Sequence, residues 1–290
     1  MLGAIIGDVA GSYYEVLEIQ EKIKNRRHRD YEERIKILDK EVPLFDSNSS
    51  CTDDSILTCA IYDAIVNGCY DYDSYLREYG EREIELGVDQ YGRGRFGSRF
   101  TEWVEGRVPG DSFGNGAAMR VSPVGFLFDT LEEVKENAFL SSVPTHANSD
   151  AIKCAEAVAV SIFLLRNGKS KEEVEQYVKE NYFPLDYDLE ELQRNYTFSS
   201  QATRSVPQAL FVFFQSTDFE DSIRKAISIG GDSDTIAAIV GSLSEACYGV
   251  PDSLREQVKP YLKDYMLDLL NERYYSNKSR SIKDNKKDKN

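Results

Sequence analysis

Two short acidic clusters stand far apart in the 290-residue chain, Thr52-Asp53-Asp54 and Asp232-Ser233-Asp234-Thr235, and each opens an apolar helical run. The first leads into SILTCAIYDAIV, with Thr52 in N-cap position and both carboxylates in the first turn, where the helix dipole favours their ionised form. The second follows a Gly-Gly loop and leads into TIAAIVGSLSEA, small and branched residues that suit a buried helix. Either cluster alone is accounted for as an ordinary cap. Together they offer four carboxylates and two hydroxyl oxygens, an all-oxygen set suited to a hard cation such as Mg²⁺ or Mn²⁺ rather than to zinc or copper.

Helical periodicity dominates the rest of the chain. Gly3, Gly7 and Gly11 recur every fourth residue in LGAIIGDVAGSYYE, which puts them on one helical face and permits close approach of another helix, with Glu15 ending the segment. Residues 20–41 are densely charged and are expected as an exposed helix or mobile loop, with His28 solvated inside it. An amphipathic helix is expected over Asp71–Glu85. The stretch from Tyr91 to Gly125 is instead rich in glycine, arginine and aromatics, as a loop region would be that brings backbone amides to an anionic, partly aromatic ligand. Further helices follow over TLEEVKENAFLSSV, over the run after His146, over SKEEVEQYVKENY with a Ser170/Glu173 capping box, over SVPQALFVFFQST and over DFEDSIRKAISIG. No strand series with hairpin signals is present, and no GxGxxG or Walker pattern supports a nucleotide-binding α/β fold.

The charge of −15 disfavours strong nucleic-acid or anionic-membrane binding. No apolar run approaches membrane-spanning length, and MLGAIIGDVAG is interrupted too soon by Asp8 for a signal peptide. Five scattered cysteines form no CxxC pair and are expected as reduced, mostly buried thiols of a cytoplasmic protein. One helical domain is expected over residues 1–277, followed by a disordered tail, residues 278–290, with six basic and two acidic residues.

Taken in order, GAIIGDVAGSYYE, TDDS, SFGNGAAMRVSPVG, THANSDA and GGDSDTIAAIVGSLSEACYG resemble the ADP-ribosylglycohydrolase family across nearly the whole body, and the first and third look closest to members that act on serine-linked ADP-ribose. The resemblance implies an all-α, orthogonal helical fold with a binuclear Mg²⁺ centre in a cleft. Thr52, Asp53 and Asp54 would bind metal from one side, and Asp232, Asp234 and Thr235 from the other. Glu15 matches an acidic residue near the metals and the scissile bond and is the first choice for an acid/base or gating role, with Asp53, Asp54 or Asp232 orienting water. Ser112, Phe113, Gly114, Asn115 and Gly116 would meet the pyrophosphate and distal part of the ligand, Phe113 stacking on adenine, and His146 would line the cleft. The expected activity is hydrolysis of the ADP-ribosyl bond of modified protein side chains or small conjugates by a monomer. The alternatives are a non-catalytic ADP-ribose binder or crystallin-like structural relative. An all-α metal phosphohydrolase fits poorly, because His28 and His146 alone cannot supply its histidine-rich ligand set. The sequence does not name the acceptor atom, whether serine oxygen, arginine nitrogen or phosphate.

Overall fold

The structure is a computed structural model in which residues 1–270 are described. The expected basic tail, 278–290, lies outside these residues. Among them the chain forms sixteen α-helices and no β-strand, apart from two isolated bridges pairing Asp111 with His146 and Gly114 with Gln201. In chain order the helices are α1 (Leu2–Ile23), α2 (Tyr31–Ile35), α3 (Asp53–Val66), α4 (Tyr72–Glu85), α5 (Ser98–Val104), α6 (Gly116–Met119), α7 (Ser122–Leu127) and α8 (Leu131–Ser142). Then follow α9 (Ser149–Arg166), α10 (Lys171–Asn181), α11 (Leu189–Asn195), α12 (Val206–Phe214), α13 (Phe219–Ser228), α14 (Ser233–Tyr248), α15 (Asp252–Val258) and α16 (Asp264–Asp268).

The capping signals act where the sequence places them. Thr52 Oγ1 accepts from the Asp54 N–H at 3.3 Å to start α3, and Ser170 with Glu173 closes a reciprocal capping box on α10. At the start of α14, Gly230 and Gly231 both adopt positive φ, 72° and 76°, which only glycine takes without strain and which turns the chain sharply into Asp232.

Helix α14 is the axis of the molecule, buried at every position from Ser233 to Glu245 and packed by α1, α9, α12 and α13. Its Ile236, Ile239, Val240 and Leu243 are fully buried, each worth about 2 kcal/mol of transfer free energy. The glycine stripe of α1 explains the closest of these contacts. A Cβ on Gly3, Gly7 or Gly11 would overlap the backbone carbonyls of Gly241, Ala237 and Ser233 respectively, so the two helices meet backbone to backbone. Helix α3 packs on α1 from another side, which brings the N-termini of α3 and α14 together over the middle of α1.

Three expectations need correction. Glu15 does not end its segment, because α1 runs on to Ile23 and carries Glu15 within its length. The charged stretch after it is not merely exposed either. Glu18 accepts from Arg29 Nε and Arg34 Nε, both at 3.0 Å, while Arg34 Nη1 donates to the carbonyls of Gln193 at 3.3 Å and Tyr196 at 2.9 Å. All three charged side chains are buried, an arrangement made tolerable by one carboxylate shared between two guanidinium groups, of which Arg34 also finds carbonyl acceptors. His28, half-buried, donates from Nδ1 to the Arg29 carbonyl at 2.7 Å and stands away from the cleft described below. The glycine-rich region is less loop-like than expected, since α5 to α7 interrupt it. No disulfide forms among the described residues; Cys59 and Cys154 are buried, Cys51 and Cys247 half-buried, and Cys69 exposed. No helix among them is long and apolar enough to cross a membrane.

Candidate active site

A cleft of about 410 Å³ opens where α1, α3, α6 and α14 meet. It is lined by Glu15, Asp53, Asp54, Asp232, Asp234 and Thr235 at one end. Ser112, Gly114, Asn115, Gly116 and His146 line the other. Two residues singled out from sequence stand outside the lining. Thr52 is turned back to donate from Oγ1 to Asp8 Oδ1 at 2.7 Å, and Phe113 is exposed at 58%, while Phe198 and Trp103 supply aromatic surface inside.

The acidic end is assembled from helix termini. Asp8 and Glu15 lie two turns apart on one face of α1, and Gly11 between them abuts Ser233 and Asp234. Oxygens of Asp8, Asp54 and Asp234 lie within 4.8 Å of one another, as do those of Glu15, Asp232 and Asp234, so Asp234 belongs to both groups. Asp8 is better understood as a brace than as a ligand. It accepts the Thr52 N–H at 2.9 Å, the Ser55 N–H at 3.1 Å and both side-chain hydroxyls, which occupies its lone pairs and fixes the turn that carries Asp53 and Asp54. Asp54 behaves differently. Its Oδ2 accepts from Thr235 Oγ1 at 3.2 Å, and its Oδ1 is buried without a partner among the described residues. Asp232 Oδ2 accepts from Asn115 Nδ2 at 2.7 Å. Glu15 Oε2 accepts from Arg93 Nη1 at 2.9 Å, and Asp89 holds the same guanidinium at Nε.

Burial makes this cluster electrostatically expensive. It pushes Asp53 up to about 8, helped by the charges of Glu15, Asp8 and Asp232, and Asp232 up to about 7, helped by Glu15 and eased by Asn115. Asp8 rises to about 6 through burial, opposed by its hydrogen bonds from Ser55 and Thr52. Asp54 and Asp234 are driven far above the carboxylate range by burial, then by neighbouring charge, that of Asp8 and Asp53 on Asp54 and that of Glu15 and Asp54 on Asp234. No lysine or arginine forms an ion pair with Asp53, Asp54, Asp232 or Asp234 among the described residues. A hard, oxygen-preferring divalent cation fits this donor set: it would neutralise the mutual repulsion and give the orphaned Asp54 oxygen a partner.

The other end is built from loops and is not acidic. Arg120, 1% exposed, sits on its floor, burial pulling it down to about 9 against the attraction of Asp53, so that it remains a cation at neutral pH. Burial, then the charges of Arg120 and Arg99, hold His146 far below the ordinary histidine range. The His146 ring packs on Gly116, where a Cβ would stand 3.0 Å from the ring. Sequence reasoning passed over Asp8, Arg93, Arg120 and Phe198. An aspartate inside an apolar, glycine-spaced helix was a usable signal for the first; the others depend on pairings across loops.

The family model described as ADP-ribosylglycohydrolase matches residues 1–281. An uncharacterised protein of Archaeoglobus fulgidus is 33% identical over 178 residues, covering 56% of this chain and 58% of that protein. The ADP-ribosylarginine hydrolase Tri1 of Pseudomonas putida is 24% identical over 269 residues, 86% of this chain and 70% of that protein. Human ADP-ribosylhydrolase ARH3 is 27% identical over 201 residues, 52% of this chain and 55% of that protein. The alignments thus span little more than half of the archaeal and human relatives. A solved structure titled ADP-ribosylglycohydrolase-related protein complex superposes with a TM-score of 0.62 at 19% identity, covering 90% of this chain and 94% of that one, which is a likeness of fold. With a family match over nearly its whole length and the all-α architecture to go with it, the chain belongs to the ADP-ribosylglycohydrolase family.

Proposed function

We propose that the protein is a divalent-cation-dependent hydrolase that cleaves the glycosidic bond joining ADP-ribose to a protein side chain or small acceptor and releases ADP-ribose. One observation carries the reading: buried, mutually repelling carboxylates converge from two helix N-termini on an open cleft, and one of their oxygens has no partner among the described residues. The hydrolase names of the bacterial and human relatives support the same substrate class.

Thr52, Asp53, Asp54, Asp232, Asp234 and Thr235 would hold two Mg²⁺ ions, with Mn²⁺ an acceptable substitute. Bound there, such ions supply positive charge that fixes ribose hydroxyls and makes a water more acidic. Hydrolysis joins a water oxygen to C1″ and breaks the bond from C1″ to the acceptor, so one proton leaves the water and one reaches the leaving atom. Glu15 is the group proposed to move those protons, since it faces the acidic end and is held at one oxygen by Arg93. One of Asp53, Asp54 and Asp232 orients the water, and Asn115 fixes the outer oxygen of Asp232 for that task. The Ser112–Gly116 segment and the His146 ring would receive the pyrophosphate and adenosine, with Phe198 offering a face to the base.

The test is a panel of serine-, arginine- and phosphate-linked ADP-ribose conjugates assayed for free ADP-ribose with Mg²⁺ and with a chelator. Release from at least one conjugate, abolished by chelation, is expected. A metal-loaded protein that releases nothing from any of them refutes the hydrolase reading, and calorimetric binding of ADP-ribose without turnover would identify a binding-only relative instead.

A further inference from the structure

Thr145 Oγ1 stands between two nitrogens of different kinds. Arg120 Nη2 donates to it at 2.7 Å, and His146 Nδ1 lies 2.6 Å away. A guanidinium has donors only, so one lone pair of the hydroxyl is taken. The hydroxyl carries a single proton, and among the described residues no other acceptor takes it. Giving that proton to Nδ1 pairs both the hydroxyl proton and the Nδ1 lone pair. The reverse arrangement, Nδ1–H donating to the hydroxyl, would leave a buried O–H without an acceptor, which costs more than a typical hydrogen bond gains.

The frame around the relay is rigid. Arg120 Nη2 is also held by the Ser141 carbonyl at 3.1 Å. The Thr145 carbonyl accepts the Ser112 N–H at 3.1 Å, and the His146 N–H reaches the Ser142 carbonyl at 2.8 Å. The other edge of the ring borders the cleft. Nε2 has no partner among the described residues, and Cβ atoms placed on Gly116 and Gly114 would stand 3.1 and 3.7 Å from it.

We propose that Arg120 and Thr145 are positioning residues that fix His146 as the Nε2–H tautomer, so that the cleft presents one hydrogen-bond donor beside Gly114 and Gly116 and selects an acceptor atom of the ligand there, a phosphate or sugar oxygen or a purine ring nitrogen. The burial and neighbouring cations that keep the ring neutral work in the same direction, because an imidazolium could not accept from Thr145. The ligand half of the inference rests on the proposed function. The tautomer half does not.

The chain contains two histidines, so ¹⁵N-histidine labelling gives two imidazoles, and a His28→Gln variant assigns them. Long-range ¹H–¹⁵N correlation at neutral pH should show His146 as the Nε2–H tautomer in the wild-type protein. Thr145→Val should give a tautomer mixture and weaken ADP-ribose binding about tenfold, with Thr145→Ser restoring both. An Nδ1–H or doubly protonated His146 in the wild type overturns the inference whatever the variants do, as does an unchanged tautomer in natively folded Thr145→Val. If the tautomer responds as stated and ADP-ribose does not bind, the relay stands and the proposed function falls.

Discussion

The two ends of the cleft are made in opposite ways. The acidic end is set by regular structure, the first turns of α3 and α14 laid over α1, and it concentrates like charge where water is scarce. The Gly114–His146 end is set by connecting segments, and it offers a cation and a neutral ring beside two glycines. The first arrangement stores repulsion that a cation would relieve. The second leaves donors over, Arg120 Nε and Nη1, which have no partner among the described residues, and it suits a polar ligand rather than a cation.

The sharpest break of this contrast is Asp234→Ala. Asp234 belongs to both carboxylate groups, so its loss should lower turnover by about a thousandfold and abolish stabilisation by Mg²⁺ while leaving the metal-free fold intact. Turnover within tenfold of wild type would show that the acidic end is not the reactive one.

A smaller effect comes from pH. Burial raises Asp8, Asp232 and Asp53 to about 6, 7 and 8 in the folded chain, so the fold binds protons that the unfolded chain has released. Their contribution to the stability of the metal-free protein is complete below about pH 4 and is lost as pH rises through 6 to 8. In chelator, the melting temperature should therefore be lower at pH 8.5 than at pH 5.5, and added Mg²⁺ should raise it more at the higher pH. A melting temperature that climbs with pH in chelator would contradict the picture of uncompensated carboxylates.

The smallest expected effect lies at the loop-built end. Phe198→Ala should weaken ADP-ribose binding about tenfold, whereas Phe113→Ala, at a side chain 58% exposed outside the lining, should change it less than about threefold. The opposite ranking, measured by calorimetry, would mean that Phe113 swings in when ligand arrives.

The same contrast governs what the sequence alone could tell. Helix grammar is local, so the caps at Thr52 and Ser170, the glycine stripe and both acidic clusters were legible from neighbours in the chain. Asp8 was passed over because its four donors come from residues 52 and 55, far along the chain. The burial of Arg34 was illegible for a similar reason, since its acceptors are Glu18 and carbonyls at Gln193 and Tyr196. Arg120, though inside a recognised motif, acquires its meaning from Thr145 and Ser141.

The glycine contacts between α1 and α14 carry one more consequence. Where side chains separate two helices, their spacing can drift by an ångström as side chains are exchanged over evolution. Here peptide group rests on peptide group at Gly3, Gly7 and Gly11, so the gap from Asp8 and Glu15 to Asp234 is measured by the thickness of the backbone itself. That ruler has no adjustable part. The chain can vary its surface and its remote core freely while the carboxylates of α1 and α14 keep one separation.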